Sequence, residues 1–268
     1  MIFSFITLFP SLIEGYFSDS ILKNARNKGL ITIDTIALRD FALDSYKSAD
    51  AKQIGGGAGQ VLLPEVLQRA IESVCKRSDS YTQSRENPAL QTHTSAKNLP
   101  LALAVTPKPH IIFLTPCAKP FSQDDAIRLA KKEHIVFVCG RYEGIDERAI
   151  EHYADEVFSV GDFILTGGEL AALCLCDSIS RQIPQVLGNS ESLQGESFES
   201  CLLEAPIFAR TQSPAKGFEN FAPISEYSKG NHSRICALKN QLALCKTRYF
   251  RPDLFERWKF TQRVHDEK

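Results

Sequence analysis

Several hallmarks of common protein classes are missing from this sequence. Its eight cysteines include no C-x-x-C pair and its six histidines show no metal-ligand spacing, which argues against a structural metal site and indicates reduced thiols. No apolar stretch reaches the roughly 18 uninterrupted residues of a membrane helix. Residues 1–13 are apolar, but Pro10 interrupts them, and they lack a basic start and a small-residue cleavage site. We therefore expect a cytoplasmic protein without membrane association.

The sequence also has little net charge. A formal charge of −1 does not by itself indicate a nucleic-acid partner. The charge is unevenly distributed, however, because residues 229–263 contain nine lysines and arginines but only two acidic residues. This basic segment is either a phosphate-binding surface or the solvated face of small helices.

Short apolar segments alternate with helix-like segments over much of the chain. We predict strands at residues 2–8, 30–36, 111–114 and 135–139, and helices at 18–27, 64–76, 123–133 and 166–181. Such alternation is typical of an α/β domain with a parallel sheet. The polar segment 76–106 has weak periodicity and is predicted to be a surface insertion.

The last of these helices has the clearest local signals. Thr166 and Glu169 form a T-x-x-E pattern, which predicts a capping box, and the body at 170–176 is apolar nearly all round, which predicts a buried helix. A chain of 268 residues suggests two domains. We expect a first domain at 1–188, a polar linker at 189–202 and a small helical, basic domain at 203–268.

Three glycine-rich turns stand out at strand ends and helix starts, at residues 55–59, 140–144 and 161–169. Glycine lets a ligand approach the backbone closely, and the carboxyl edge of a parallel sheet is where cofactors bind. None of the turns fits a P-loop or a dinucleotide fingerprint, because the required lysine or the strand-to-helix context is absent. A single glycine turn is more often structural than ligand-binding, but the combination of three such turns favours a ligand site.

Seven stretches together closely resemble the bacterial tRNA (guanine-N1)-methyltransferases that act at position 37 of tRNA. They are, in chain order, FITLFP (5–10), RDF (39–41), GGGAG (55–59), CGRYEGIDER (139–148), GDFILTGGEL (161–170), GNH (230–232) and RPDL (251–254). The resemblance implies the SPOUT architecture, an α/β domain with a parallel sheet and a deep C-terminal trefoil knot, plus a small helical C-terminal domain. It also implies a homodimer with a shared active site, S-adenosylmethionine as methyl donor, a tRNA substrate and dependence on magnesium ions, although no separate metal site can be recognised.

The resemblance also implies roles for individual residues. The positions that match the cofactor site are Phe113, Leu114, Thr115, Gly140, Tyr142, Glu143, Gly144, Val160, Gly161, Asp162, Phe163, Ile164, Leu165, Gly167 and Gly168. Those that match the substrate site are Asp50, Gly55, Gly56, Gly57 and Gly59. The catalytic positions are Arg181 and, contributed by the other subunit, Glu196, where the family usually has aspartate.

The implied chemistry needs these residue types. Guanine N1 carries a proton at neutral pH, so a base such as Glu196 must remove it while a cation such as Arg181 stabilises the charge that develops on O6. The Watson–Crick edge is accessible only in a single-stranded loop, where a base can be extruded. Three alternatives stay open, namely a SPOUT enzyme with another RNA target, an RNA-binding protein that has lost catalysis, and a nucleotide-dependent oxidoreductase.

Overall fold

A computed structural model describes residues 1–86, 108–193, 195–209 and 223–266. The chain divides into two compact units, Met1–Gly188 and Asn189–Lys268. In the first unit the strands are β1 (Ile2–Thr7), β2 (Thr32–Ala37), β3 (Asp50–Lys52), β4 (Gln60–Leu62), β5 (His110–Leu114), β6 (His134–Cys139) and β7 (Glu156–Phe158). Its helices are α1 (Pro10–Glu14), α2 (Ser20–Asn27), α3 (Pro64–Glu86), α4 (Gln123–Leu129), α5 (Glu147–Tyr153) and α6 (Glu169–Arg181).

Five strands form one sheet in the order β2-β1-β6-β5-β7, and every pair in it is parallel. Two interior strands, β1 and β6, are buried along their whole length, which explains why both are largely apolar on both faces rather than alternating. β3 and β4 form a separate antiparallel pair. The α/β class and the parallel sheet predicted from the sequence are therefore confirmed.

The sheet carries an apolar core on each face. Phe5 and Phe137 point towards the cluster that contains α1, α2, α4 and α6, whereas Ile6 and Val138 point towards the cluster that contains α3 and α5. Successive side chains of a strand project to opposite faces, so β1 and β6 supply both clusters at once. The two cores hold the carboxyl ends of β5, β6 and β7 in fixed positions.

Charged residues pack where α4 meets the edge strand β7. The Arg128 guanidinium lies 3.0 Å from Asp125 Oδ1 and 2.6 Å from Glu156 Oε2. Burial opposes ionisation of Asp125, but hydrogen bonds from Ser122, Lys119 and Arg128 outweigh it and lower the pKa of this carboxyl to about 2. The cluster therefore stabilises the fold only while its carboxylates are ionised.

Three sequence predictions need correction. α3 continues to Glu86, beyond the predicted end at 76, because the polar residues that follow are compatible with a helix; residues 87–106 of the predicted insertion lie outside the described residues. α4 ends at Leu129, since Glu133 already pairs with β1 through a hydrogen bond from Ile2 N (2.8 Å). α6 is not buried all round, because Leu170 is 59% exposed and Cys174 is also exposed.

The described residues of the second unit form two α-helices, α7 (His232–Phe250) and α8 (Pro252–Asp266). Asn231 caps α7 by accepting a hydrogen bond from Arg234 N, and Pro252 occupies the first position of α8. Thr247 Oγ1 accepts a hydrogen bond from Leu203 N (2.8 Å), which ties the segment before the helices to α7. No helix in the described part of the chain is long and apolar enough to cross a membrane.

Candidate active site

A cavity of about 500 Å³ opens at the carboxyl ends of β5 and β6. The turn at 140–144 follows β6 directly and forms one wall, while Phe158 at the end of β7 and residues 159–160 and 163–168 after it form another. The wall is part apolar, with Leu114, Ile164 and Leu165, and part backbone, with Gly140 and Gly168. This position at the end of a parallel sheet is the one that open α/β folds use for ligands.

The two glycine turns touch each other through their backbones. Gly168 N donates a hydrogen bond to Gly140 O (2.8 Å), and Arg141 forms an antiparallel bridge with Gly167. A Cβ at position 168 would lie 2.9 Å from Gly140 N and 3.0 Å from Cys139 Cα. Only glycine therefore allows this approach, and the cavity depends on it.

The capping box predicted at the start of α6 is not formed. The helix begins at Glu169, its N-cap is Gly168, and no side chain makes the capping hydrogen bond. The Glu169 carboxylate is instead buried and accepts hydrogen bonds from Thr7 Oγ1 (2.7 Å) and Arg141 Nε (2.9 Å). The capping box predicted from the T-x-x-E pattern is therefore wrong, because the Glu169 carboxylate binds residues from distant parts of the chain instead of the helix N-terminus.

The third glycine turn joins β3 to β4. Gly55, Gly56, Gly57 and Gly59 all have positive φ angles, which side-chain-bearing residues rarely adopt. This hairpin is bound to the turn at 140–144, since Leu62 N donates to Gly144 O (3.1 Å) and the backbone at 143 donates to the carbonyl at 60 (3.0 Å). The predicted substrate loop and the predicted cofactor loop are therefore neighbours.

Asp50, predicted to lie near the substrate base, is half-buried at the start of β3. Its Oδ2 lies 3.9 Å from an Arg39 nitrogen, and the same nitrogen donates a hydrogen bond to the Tyr142 hydroxyl (3.4 Å). Arg39 thus connects a predicted substrate residue with a predicted cofactor residue. No role was assigned to it from the sequence, although it belongs to one of the recognised stretches, RDF.

A family model described as tRNA (Guanine-1)-methyltransferase TrmD matches residues 1–257. The chain belongs to this family. A protein named tRNA (guanine-N(1)-)-methyltransferase from Wolinella succinogenes is 55% identical over 263 residues, covering 98% of both chains. Proteins with the same name from Helicobacter hepaticus and Sulfurovum sp. are 53% and 51% identical, and the alignments cover 97% and 96% of this chain and 94% and 99% of theirs. The membership predicted from the sequence is therefore confirmed.

Most positions that the family resemblance predicts to bind the cofactor border the cavity. They are Leu114, Thr115, Gly140, Tyr142, Glu143, Gly144, Val160, Phe163, Ile164, Leu165, Gly167 and Gly168. Of the others, Phe113 is fully buried in β5, and Gly161 and Asp162 lie in the same turn but not in the cavity wall. The wall also includes Arg141 and Thr166, to which sequence analysis gave no cofactor role.

The two positions that the family resemblance predicts to be catalytic lie in different units. Arg181 is the last residue of α6 and is half-buried; Asp177 lies one turn before it on the same helix. Burial raises the pKa of Asp177, and the positive charge of Arg181 acts in the opposite direction. Glu196 belongs to the second unit, where it is half-buried in the wall of a cavity of about 540 Å³.

The family resemblance implies dependence on magnesium ions. Among the described residues no three histidines, cysteines, aspartates or glutamates are grouped so that they could hold a metal ion. Glu143 and Glu147 both border the cavity of the first unit, but they do not form such a group.

Proposed function

We propose that this protein transfers a methyl group from S-adenosylmethionine to N1 of the guanosine at position 37 of tRNA. The observation that carries the proposal is the cavity between two touching glycine turns, at positions where the family binds its cofactor, in a chain that matches the family over residues 1–257. A SPOUT enzyme with another RNA target would not be expected to match over both units.

The residues around the cavity fit S-adenosylmethionine. Its volume of about 500 Å³ suits a ligand of this size, and Leu114, Ile164 and Leu165 offer apolar surface for a purine ring. The close approach of Gly168 to Gly140 leaves no room for a side chain at position 168, so the backbone borders the cavity at these two glycines. When bound, the cofactor supplies an electrophilic methyl group on a sulfonium. The turns contribute by binding it in a fixed orientation and excluding water.

Two side chains carry the acid–base part of the proposal. Arg181 donates to guanine O6 and stabilises the negative charge that develops there, while a glutamate carboxylate accepts the proton from N1. Glu196 performs this second task in the active site of the other subunit. Glutamate has the same chemistry as the aspartate usual in the family, on an arm one methylene longer.

The homodimer is part of the proposal, and exposed apolar residues support it. Leu12 of α1, Tyr16 and Leu170 of α6 are 51%, 47% and 59% exposed, and α1 packs against α6 within the first unit. Apolar side chains on adjoining elements are typical of a surface that another subunit covers. We further propose that residues 1–188 form the knotted SPOUT domain and that residues 189–202 link it to a helical tRNA-binding domain at 203–268.

The second unit provides cations and aromatic rings for RNA. Arg248 and Arg251 are exposed near the end of α7, together with Tyr249 and Phe250, which are 80% and 64% exposed. Cations neutralise phosphates and exposed rings stack on unpaired bases, so this combination suits an RNA loop.

Transfer of labelled methyl groups tests the proposal. Purified protein is incubated with labelled S-adenosylmethionine and two tRNA transcripts that differ only at position 37, where one has guanosine and the other uridine. We expect label only on the guanosine transcript, and loss of transfer in Glu196→Gln with cofactor binding retained. Label on both transcripts or on neither would reject the proposal. The same assay with EDTA tests the magnesium dependence.

A further inference from the structure

Among the described acidic residues of the first unit, Glu169 is the most deeply buried, with 1% of the residue exposed. It stands at the first position of α6, where a solvent-exposed acidic residue would already interact favourably with the helix N-terminus. Burying it is costly unless its oxygens are paired. Its burial therefore indicates that the hydrogen bonds to its partners, and not the interaction with the helix N-terminus, determine its position.

The partners of Glu169 come from two distant segments. Oε1 accepts a hydrogen bond from Thr7 Oγ1 (2.7 Å) at the end of β1, and Oε2 lies 2.9 Å from Arg141 Nε in the turn after β6. Thr7 Oγ1 also accepts a hydrogen bond from Phe9 N (2.9 Å), so the hydroxyl has both a donor and an acceptor in place. Both oxygens of the carboxylate are thus used.

Arg141 connects this buried carboxylate to the cavity. Its Nη1 donates to Thr166 O (3.3 Å), its guanidinium carbon lies 4.7 Å from the centre of the Phe9 ring, and its backbone bridges to Gly167. Arg141 and Thr166 border the cavity, whereas Thr7 and Glu169 do not. The side chain therefore spans from one glycine turn to the other, and Glu169 holds it from behind.

We propose that Glu169 and Thr7 are positioning residues for methyl transfer, which hold Arg141 and thereby set the separation of the two glycine turns that bind the cofactor. This inference rests on the proposed function. A buried ion pair contributes little to stability compared with apolar packing, but it defines one geometry, because its hydrogen bonds are directional. Loss of one partner also lowers stability, so the specific effect of the pair is expected on cofactor binding and not on tRNA binding.

Thr7 gives the cleanest test because it lies outside the cavity. Thr7→Val removes the hydroxyl and keeps the shape, while Thr7→Ser keeps the hydroxyl. Steady-state assays with each variant measure kcat and the KM for S-adenosylmethionine and for tRNA, and thermal unfolding reports Tm. Glu156→Gln is the matched control, since its carboxylate is also paired with an arginine (2.6 Å to Arg128) but does not border the cavity.

Thr7→Val removes the hydrogen bond to Glu169 and the one from Phe9 N, so we expect it to raise the KM for S-adenosylmethionine at least about fivefold, the equivalent of one net hydrogen bond. Glu169→Gln should lower kcat/KM for the cofactor by roughly 10- to 100-fold, as expected when turns that orient a reactant shift. Thr7→Ser should restore the wild-type value, and the KM for tRNA should stay unchanged in all variants. Glu156→Gln should leave both KM values unchanged.

Several results would overturn the inference. One is a cofactor KM in Thr7→Val and Glu169→Gln that stays within twofold of wild type. Another is a parallel rise of both KM values together with a lower Tm, which would show a purely structural role. If Glu169→Gln does not fold, the comparison of Thr7→Val with Thr7→Ser decides alone. Failure of the wild-type protein to methylate tRNA would instead reject the proposed function.

Discussion

Replacing Gly168 with alanine tests the contact on which the cofactor cavity depends. The added Cβ would lie 2.9 Å from Gly140 N and 3.0 Å from Cys139 Cα, and both are backbone atoms that cannot rotate away. To reach ordinary contact the turns would have to separate by about 0.5 Å, and overpacking of this kind costs about 1–3 kcal/mol. The movement would also lengthen the 2.8 Å hydrogen bond from Gly168 N to Gly140 O.

The expected result is a selective loss of cofactor binding. We expect Gly168→Ala to bind S-adenosylmethionine at least about 10-fold more weakly, since 1.4 kcal/mol corresponds to a factor of ten in affinity. Isothermal titration calorimetry with S-adenosylhomocysteine measures this without turnover, and thermal unfolding measures the accompanying loss of stability. Binding of tRNA should change little.

Gly188→Ala is the matched control for this experiment. A Cβ at Gly188 would have no neighbour within 4 Å, so the same substitution should change neither cofactor affinity nor Tm. Wild-type affinity in Gly168→Ala, with the protein folded, would refute the argument that the touching turns form the cofactor site. Equal losses in both variants would show that the effect is not specific to the contact.

Three further predictions follow from the same structure. Arg181→Ala and Glu196→Gln should each be inactive alone, but an equal mixture should recover about a quarter of wild-type activity after subunit exchange. The reason is that half of the dimers are then mixed, and one of the two sites in each mixed dimer is intact. No recovery would contradict a shared site. Asp125→Asn should lower the free energy of unfolding by about 2 kcal/mol at pH 7, since the pKa of this carboxyl is depressed in the folded protein. In acid denaturation, the difference in unfolding free energy between wild type and variant should shrink between about pH 4 and pH 2. A difference that does not change with pH would contradict this. Arg248→Ala should reduce the slope of log affinity for tRNA against log salt by about one, measured by filter binding; an unchanged slope would exclude a phosphate contact.

Features that depend on one residue type and one local conformation could be predicted from the sequence. The interior strands β1 and β6 were recognisable because they are buried on both faces and therefore largely apolar. The glycine turns were recognisable because positive φ angles and close backbone contacts exclude other residues. Both follow from short-range constraints that leave a direct mark on composition.

Features that depend on distant partners could not be predicted in this way. The T-x-x-E pattern at Thr166 and Glu169 is compatible with a capping box. The buried pair forms instead because the fold brings Thr7 at the end of β1 and Arg141 in the turn after β6 next to Glu169. Similarly, Arg39 meets Asp50 and Tyr142 only because the hairpin binds to the turn after β6. The roles of Arg181 and Glu196 came from family resemblance, since a helix end and a polar segment carry no chemical signature of their own.

The position of the transferred methyl group tests the central claim most directly. A methyl group on N1 blocks the Watson–Crick edge of guanine, so reverse transcription of the product should be blocked at position 37, with the cDNA ending at the nucleotide on its 3′ side, and mass spectrometry of the nucleosides should show 1-methylguanosine. The account predicts this stop only after incubation with both the protein and S-adenosylmethionine. Methylation of another atom of guanosine, or a stop at another position, would contradict it.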